Sequence, residues 1–351
     1  MPMIDVLIPV FNAEATVREA VSSILRQSVR DLNVVVVDDG STDGTPDILR
    51  DLAEADRRIT LVRKENGGIV DALNMGLDHC RAEIVARHDA DDIAYPERLA
   101  TQLAYLEAHP DCIAVGANAW HVDARGRRMG RTWMAGAPPA DWASIPSVEP
   151  YLMHPFLMAR RRAIEQAGRY RHVYNAEDTD LYWRLRELGR LHNLDQILGE
   201  YRIHAGSVTS GSAVSARINA VTSQLGAISA RRRAAGERDL RFSPETLPRY
   251  REAAEFRVIL AIAAEQLTPA EAEYLRAAAA AKLVELRNYR PFRLSLNDVT
   301  AVAALLVGSW GRMGRTNRWA VARRVGHAMR PKLGIKRALA RLSAPKTVES
   351  R

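Results

Sequence analysis

The sequence predicts an α/β fold, with a mostly parallel central sheet covered by helices on both faces and a C-terminal helical extension. Three observations support this prediction. Short apolar segments alternate with amphipathic segments up to about residue 115, acidic turns follow two of the apolar segments, and strand patterns give way to Ala-rich helical patterns beyond about residue 213. The 351-residue chain is 47% hydrophobic and 26% charged, which is a globular composition with enough residues to bury a sizeable core.

Five strands are predicted at 4–10, 32–37, 59–62, 83–87 and 112–115. Segment 32–37 is almost entirely β-branched and apolar, as expected of a strand buried on both faces of a parallel sheet. Between the strands, apolar residues recur at helical spacing and predict helices at 17–25, 47–55 and 69–77 and around Leu99, Leu103 and Leu106. In sheets of this kind, ligands bind beyond the carboxyl ends of the strands.

Clustered carboxylates follow two of these predicted strands. Asp38 and Asp39 end the second strand, where two adjacent negative charges repel unless donors neutralise them, and a pyrimidine ring is one such donor-rich ligand. Asp89, Asp91 and Asp92 follow the fourth strand, and their natural counter-charge is a hard divalent cation, Mg²⁺ or Mn²⁺. An ordinary capping loop and a solvated acidic turn are the alternative interpretations. Both clusters are expected on the same rim of the sheet.

Composition and motifs exclude several other classes. The chain has two cysteines, Cys80 and Cys112, too few for a disulfide scaffold or a Cys-only zinc site. The loop after the first strand lacks the GxGxxG of dinucleotide-binding proteins, and no GxxxxGK[ST] run occurs. No signal peptide and no transmembrane segment are expected from the apolar runs.

Taken in order, the motifs resemble those of family 2 glycosyltransferases with the A-type fold. They are IPVFN at 8–12, VDDGSTD at 37–43, NGG at 66–68, ALNMG at 72–76, DADD at 89–92, EDTDL at 177–181 and YRIH at 201–204. The resemblance covers about residues 3–210. It implies a nucleotide-sugar donor, with a UDP-sugar favoured, a divalent metal and inversion at the anomeric carbon. The QxxRW motif of processive family members is absent after Asp178, which favours a single sugar addition.

The resemblance also implies roles for individual residues. Donor binding falls to Pro9, Phe11, Asn12, Asp38, Asp39, Asn66, Asp89 and Ala90. Metal binding falls to Asp91 and Asp89, with His204 at the late histidine of the family. Asp178 takes the place of the catalytic base, because inverting transfer needs a carboxylate that deprotonates the acceptor hydroxyl. Its alternative is an acidic residue at the N-cap or first turn of a helix. Secondary candidates are Glu177, Arg202, for which a surface position is the alternative, and His154 on the acceptor side.

Three regions are predicted: a catalytic domain over 1–212, a helical extension over 213–298 and a basic amphipathic tail over 299–351. Within the first, 1–117 would bind the nucleotide sugar and 118–212 would form the acceptor side. Residues 1–210 hold 24 Lys and Arg against 31 Asp and Glu, whereas residues 211–351 hold 26 against 11. Residues 299–348 carry 11 basic and no acidic side chains, with Trp310 and Trp319 among them.

This aromatic and basic mixture favours an anionic membrane surface as partner, with a solvated tail as the alternative and no nucleic acid expected. The predicted function is therefore a metal-dependent inverting glycosyltransferase. It would move one sugar to a glycan or lipid-linked acceptor in cell-surface polysaccharide synthesis, at the cytoplasmic face of the membrane. An inactive nucleotide-sugar-binding or scaffold protein and a nucleotidyltransferase are the alternatives.

Overall fold

One nine-stranded sheet forms the centre of the computed structural model, which describes residues 3–203, 212–287, 292 and 294–310, the last five by backbone alone. Its strands run in the order β3-β2-β1-β4-β8-β6-β9-β5, and β7 pairs with β6. The strands are β1 Ile4–Val10, β2 Leu32–Asp38, β3 Ile59–Arg63, β4 Ile84–Arg87, β5 Ile93–Ala94, β6 Cys112–Val122, β7 Arg128–Arg131, β8 Met158–Arg160 and β9 Arg190–Arg202.

Six helices accompany these strands in the first 203 residues. They are α1 Val17–Leu25, α2 Thr45–Ala55, α3 Ile69–His79, α4 Arg98–Ala108, α5 Arg161–Gln166 and α6 Glu177–Leu188. The predicted strand–helix alternation is confirmed from β1 to β6, except that the two-residue strand β5 follows β4 without a helix between them. Strands β5, β7, β8 and β9 were not predicted, and β6 extends seven residues beyond the predicted segment.

The first four strands from the β3 edge are all parallel, and this fixes the position of the site. Strand β1 pairs in parallel with β2 and with β4, and β2 pairs in parallel with β3. The run Val34–Val37 of β2 is fully buried, because helices cover both faces of this half of the sheet. Helix α3 packs so closely on β1 that a Cβ at Gly76 would lie 2.1 Å from Leu7 Cδ1. The carboxyl ends of β1, β2 and β4 therefore meet at one rim, as predicted.

The second half of the sheet is mixed. Strand β8 runs antiparallel to both β4 and β6, whereas β6 pairs with β9 in parallel. Asp92 lies between β4 and β5, and β5 pairs antiparallel with β9, which carries Arg202 at its end. This pairing brings residues about 110 positions apart to the same rim.

The segment after residue 212 is helical where it is described, as predicted. It contains α7 Ala213–Ala234, α8 Thr246–Ala253, α9 Phe256–Ala264, α10 Pro269–Leu286 and α11 Leu296–Trp310. Helix α10 begins with a capping box between Thr268 and Glu271, and Pro269 lies in its first turn. Of the predicted tail 299–348, only the α11 part lies within the described residues. In the part of the chain that is described, no helix is both long and apolar enough to cross a membrane.

Helix α7 packs against α6 and the loop that precedes it. Trp183 of α6 packs with Ala227 and Ala230 of α7. The Thr222 hydroxyl donates to the carbonyl oxygen of Tyr174 at 2.7 Å, and the Asn219 amide donates to the carbonyl of Asn175. The helical extension thus supports the helix that carries Asp178.

Candidate active site

Asp39 organises the loops at the end of β2. Its side chain is 4% exposed, and its Oδ1 accepts from Lys64 Nζ at 2.8 Å and from the Gly67 amide at 3.0 Å. Its Oδ2 accepts from the Gly68 amide at 2.8 Å and from Asn66 Nδ2 at 3.2 Å. The chain itself therefore supplies donors of the kind that the sequence analysis assigned to a ligand.

The neighbouring Asp38 is also held by the chain. Its Oδ1 accepts from the Ser41 amide at 2.9 Å, and its Oδ2 lies 3.3 Å from Arg63 Nε. Between the two loops, Gly40 has a φ of +76°, and a Cβ there would lie 2.7 Å from the Asn66 amide nitrogen. Glycine is required at this position by both its left-handed backbone and the close approach of the 66–68 loop.

The loop after β1 closes the same rim. The side-chain oxygen of Asn12 accepts from the Thr42 amide at 2.8 Å, and the Asn12 amide donates to Ser41 Oγ at 2.9 Å. Pro9 lies within β1, and the Phe11 side chain beyond it is 50% exposed. The structure thus brings together the predicted donor-binding residues Pro9, Phe11, Asn12, Asp38, Asp39 and Asn66.

Three carboxylates cluster after β4. One oxygen from each of Asp89, Asp91 and Asp92 lies within 4.8 Å of the other two. Asp89 pairs with the buried Arg87, whereas Asp92 is fully buried and accepts from the Arg202 amide at 2.8 Å. The remaining oxygen of Asp92 is buried without a hydrogen-bond partner. Burial raises the pKa of Asp92 well above its ordinary value, and the charges of Asp89 and Asp91 add to this shift.

These features fit a hard divalent cation. Carboxylate oxygens are the ligands that Mg²⁺ and Mn²⁺ prefer. Asp89 and Asp91 are half-buried and so reachable from solvent, and one oxygen of Asp92 is buried without a hydrogen-bond partner among the described residues. Asp92 was part of the predicted carboxylate cluster but was not assigned as a ligand. Ala90, between them, is 8% exposed.

Arg202, at the end of β9, braces the loop 88–92 that carries the three carboxylates. Its Nε donates to the Asp91 carbonyl at 2.8 Å, and its Nη2 donates to Glu19 Oε2 at 3.0 Å. The alternative of a surface arginine is wrong, because Arg202 is 7% exposed. His204, two residues further on, lies outside the described residues.

Asp178 lies in the first turn of α6, beside Glu177. The N-cap residue is Ala176, so Asp178 does not cap the helix, although its first-turn position remains an alternative explanation for its charge. Burial raises the pKa of Asp178 above its ordinary value. Glu177 is 8% exposed and one of its carboxylate oxygens has no partner. Burial, followed by the charge of Asp178, raises the Glu177 pKa to about 8.

His154 lies beneath the rim and not in an open pocket. It begins the short 3₁₀ helix His154–Phe156, and its Nε2 lies 2.9 Å from the hydroxyl of Tyr170. Burial lowers the His154 pKa well below its ordinary value, and the charge of Arg87 adds to the shift, so the ring is neutral. These contacts are those of a structural histidine that supports the site.

Arg87, which ends β4, was not predicted as a site residue. Its side chain is 4% exposed, and its Nε and Nη1 have no hydrogen-bond partner. The positive charge of Arg87 lowers the pKa of both Glu177 and Asp178. Arg87 also pairs with Asp89, so this buried cation is linked both to α6 and to the carboxylate cluster. The one available signal was an arginine within an otherwise apolar strand, two residues before Asp89.

The geometry agrees with comparisons to known proteins. The family described as "Glycosyl transferase family 2" matches residues 5–168. EpsE of Bacillus subtilis, which is named as a glycosyltransferase, is 34% identical over 215 residues, covering 57% of this chain and 73% of EpsE. The amylovoran biosynthesis glycosyltransferase AmsE of Erwinia amylovora is 30% identical over 210 residues, covering 58% of this chain and 77% of AmsE.

Two solved structures share the fold. One is the mannosyltransferase PcManGT of Pyrobaculum calidifontis in complex with GDP-Man and Mn²⁺, with a TM-score of 0.51 and 21% identity, covering 97% of this chain and 87% of that one. The other is TarS 1–349 of S. aureus in complex with UDP-GlcNAc, with a TM-score of 0.54 and 18% identity, covering 88% and 91%. At these identities the likeness concerns the fold, and it confirms the predicted fold class.

Proposed function

Because the chain belongs to glycosyl transferase family 2 and is a glycosyltransferase, we propose that it transfers one sugar, with inversion, from a nucleotide sugar in a metal-dependent reaction. The observation that carries this proposal is the cluster of Asp89, Asp91 and Asp92, whose carboxylate oxygens lie within 4.8 Å of one another. It lies on the same rim of the sheet as the Asp39 loop and is linked electrostatically to α6, which carries Asp178.

Asp91 and Asp89 would hold a Mn²⁺ or Mg²⁺ ion at this cluster. The ion supplies positive charge against the diphosphate that departs. Asp92 would support these two residues and not be a primary ligand, since one of its oxygens already accepts from the Arg202 amide. PcManGT, which shares the fold, binds Mn²⁺ together with GDP-Man. His204 is proposed as a further contact to the metal or the diphosphate on the family resemblance alone.

The nucleoside would lie against the loops after β1 and β2. Asp39 and Asn66 would face the base, with Asp38, Pro9, Phe11 and Asn12 forming the remainder of the pocket and Ala90 contacting the donor near Asp89. The exposed ring of Phe11 offers an apolar surface for a base, and Asp39 offers a carboxylate held in place by donors from residues 64–68. We favour a UDP-sugar, and TarS, which shares the fold, binds UDP-GlcNAc.

Asp178 would be the general base for the acceptor hydroxyl. A base must be ionised at the working pH, and its pKa should lie near that pH. Burial raises the Asp178 pKa toward this range. Glu177 has a pKa of about 8 and so stays protonated at neutral pH, which leaves Asp178 as the ionised member of the pair. Arg87 favours that ionised form.

The acceptor would be a glycan or lipid-linked saccharide in cell-surface polysaccharide synthesis. The relative AmsE is named for the biosynthesis of amylovoran. The basic tail 299–348 would hold the enzyme at the cytoplasmic face of an anionic membrane, near such an acceptor. The domain division at residue 212 is part of the same proposal and agrees with the start of α7 at Ala213.

Nucleoside-diphosphate release tests this function. Purified enzyme would be incubated with a panel of nucleotide sugars, Mn²⁺ or Mg²⁺ and a crude membrane acceptor. We expect release from one donor, loss of release on metal chelation, and loss in Asp91→Asn and Asp178→Asn. The matched control is Asp47→Asn, which changes an exposed carboxylate on α2. Nucleotide binding without release from any donor would support a binding or scaffold protein instead.

A further inference from the structure

A basic and aromatic hairpin projects beside the metal-binding loop. It spans residues 123–134 and contains β7, whose four residues are all exposed. Asp123 builds its turn, because Asp123 Oδ1 accepts from the amides of Arg125 and Arg127 at 2.9 and 3.0 Å. The hairpin is therefore an ordered element, and its outward side chains are presented in a defined arrangement.

Positive charge dominates this hairpin. It carries Arg125, Arg127, Arg128 and Arg131 against Asp123. Arg127 pairs with Asp123, and Arg128 Nη2 lies 3.9 Å from Glu200 Oε1, while the Arg128 guanidinium also lies 4.6 Å from the Trp120 ring centre. The Arg131 guanidinium lies 4.5 Å from the ring centre of Trp133, and stacking on an indole leaves the edges of a guanidinium open to anions.

Large apolar side chains stand among the arginines. Met129 is 57% exposed and Trp133 is 62% exposed, although both belong to an ordered hairpin. Within the described ranges, β7 pairs only with β6, so it presents an open edge rather than a groove. Tryptophan beside arginine on an open surface is the composition of a protein–lipid interface.

The hairpin is joined to the metal-binding loop by direct contacts. Arg128 Nη2 donates to the hydroxyl of Tyr95 at 3.2 Å, three residues after Asp92. The carbonyl of Ala124 accepts from Arg202, whose Nε donates to the carbonyl of Asp91 at 2.8 Å. A partner surface bound by the hairpin would therefore lie close to the cluster of Asp89, Asp91 and Asp92.

We infer that the hairpin 123–134 docks on an anionic lipid surface, with Met129 and Trp133 entering the headgroup region and Arg128 and Arg131 pairing with lipid phosphates. Charge complementarity and the two exposed apolar side chains together favour lipid over an acidic glycan, which offers no apolar phase for Met129. This surface is separate from the tail 299–348 and would add a second contact, since stable membrane attachment generally takes two signals. The inference does not depend on the donor, the metal or the identity of the base.

Vesicle binding of the full chain tests this inference. Vesicles of phosphatidylcholine with about 30% phosphatidylglycerol would be compared with vesicles of phosphatidylcholine alone. We expect Arg128→Ala/Arg131→Ala to lower the partition coefficient on anionic vesicles by at least about tenfold. The matched control is Arg18→Ala/Arg50→Ala, which removes two exposed, ion-paired arginines from α1 and α2 and should leave binding unchanged. Equal losses in both double variants would overturn the inference, because net charge alone would then explain binding.

A site-specific probe separates the hairpin from the tail. Cys80 and Cys112 are both buried, so a Met129→Cys variant can be labelled selectively with an environment-sensitive fluorophore. We expect a blue shift on anionic vesicles at position 129 and none at a Val258→Cys control, which lies on the exposed face of α9. Binding of the protein without a shift at 129, or no binding to vesicles at all, would contradict docking by the hairpin. A shift produced by polygalacturonate and not by vesicles would assign the hairpin to an acidic glycan. All of these outcomes are independent of whether the protein transfers sugar.

Discussion

Two carboxylate clusters on the same rim of the sheet differ in how the chain treats their charge. Asp39 receives four donors from residues 64–68, which satisfy both of its oxygens. The cluster of Asp89, Asp91 and Asp92 holds three carboxylates together, and one Asp92 oxygen is buried without a partner. The Asp39 carboxylate is satisfied by hydrogen bonds that organise its loop, whereas the second cluster keeps one buried oxygen of Asp92 without a hydrogen-bond partner among the described residues, although Arg87 pairs with Asp89. A site prepared for a cation is expected to show the second pattern.

Helix α6 shows the same difference within one turn. The Asp180 carboxylate is fully buried but pairs with Arg171 and Arg184, and these partners hold its pKa below the ordinary value. Glu177 and Asp178 lack such pairing, and burial raises the pKa of both. Carboxylates whose pKa values are raised by burial occur more often at functional sites than elsewhere.

The largest expected effect comes from Asp178→Asn. Removing the base should lower kcat by about 10²- to 10⁴-fold, and Tm should remain unchanged because Asp178 holds no ion pair with an arginine or lysine in the described residues. The measurement is nucleoside-diphosphate release with donor and acceptor, alongside thermal unfolding. The contrasting variant is Asp180→Asn, which should lower the free energy of unfolding by about 3–5 kcal/mol because it leaves the buried Arg184 without a carboxylate partner, whereas Arg171 keeps Asp239. A large loss of stability in Asp178→Asn would assign Asp178 to structure.

Metal addition should stabilise the folded protein through the second cluster. At a Mn²⁺ concentration about 100 times Kd, we expect about 2.7 kcal/mol of added stability, which thermal unfolding reports as a higher Tm. The gain should vanish in Asp91→Asn and persist in Asp39→Asn. An equal gain in Asp91→Asn would show that the ion binds elsewhere on the chain.

Asp39→Asn should instead weaken the fold. An amide offers one acceptor where the carboxylate offered two, so donors from residues 64–68 are left unpaired, at about 1–3 kcal/mol in urea denaturation. The matched control is Asp47→Asn, an exposed carboxylate on α2, which should leave the free energy of unfolding nearly unchanged. If Asp39→Asn proved as stable as the wild type, the donors around Asp39 would be too weak to organise the loop.

Over a single pH unit, the smallest expected effect is a pH dependence from Glu177. Its folded pKa of about 8 lies above the ordinary value of 4.5, so between these pH values the folded state binds the extra proton. Stability is therefore greatest at the acidic end and falls with rising pH by up to about 1.4 kcal/mol per pH unit. Glu177→Gln should flatten this slope in part, since Asp92 contributes with the same sign. Glu187→Gln, an exposed change on the same helix, should leave the slope as it is.

The sequence predicted the rim well because parallel strands bring their carboxyl ends together. The apolar runs before Asp38 and Asp89 were enough to place both clusters on one edge. It did not predict how each charge is satisfied, because two of the four donors to Asp39 are the backbone amides of Gly67 and Gly68, which no side-chain pattern records. The sequence left Arg202 open between a site residue and a surface arginine, because its burial depends on the pairing of β5 with β9.

Residues 118–203 were harder to predict than residues 3–117. Strands β7 and β8 have four and three residues, too short for a periodic pattern, and β9 mixes polar and apolar residues without strict alternation. Arg87 was not predicted as a site residue, because its position in a strand does not show that its side chain lies near both Asp89 and α6. Its role depends on the tertiary approach of α6 to the end of β4.

Titration of Mn²⁺ into the wild-type protein, Asp91→Asn and Asp39→Asn in the presence of UDP tests the central claim most directly. The account predicts one ion bound per chain in the wild type, loss of that binding in Asp91→Asn and retention of the ion in folded Asp39→Asn. Undiminished Mn²⁺ binding in Asp91→Asn, or no binding in the wild type, would contradict the claim that the cluster of Asp89, Asp91 and Asp92 is kept for a metal.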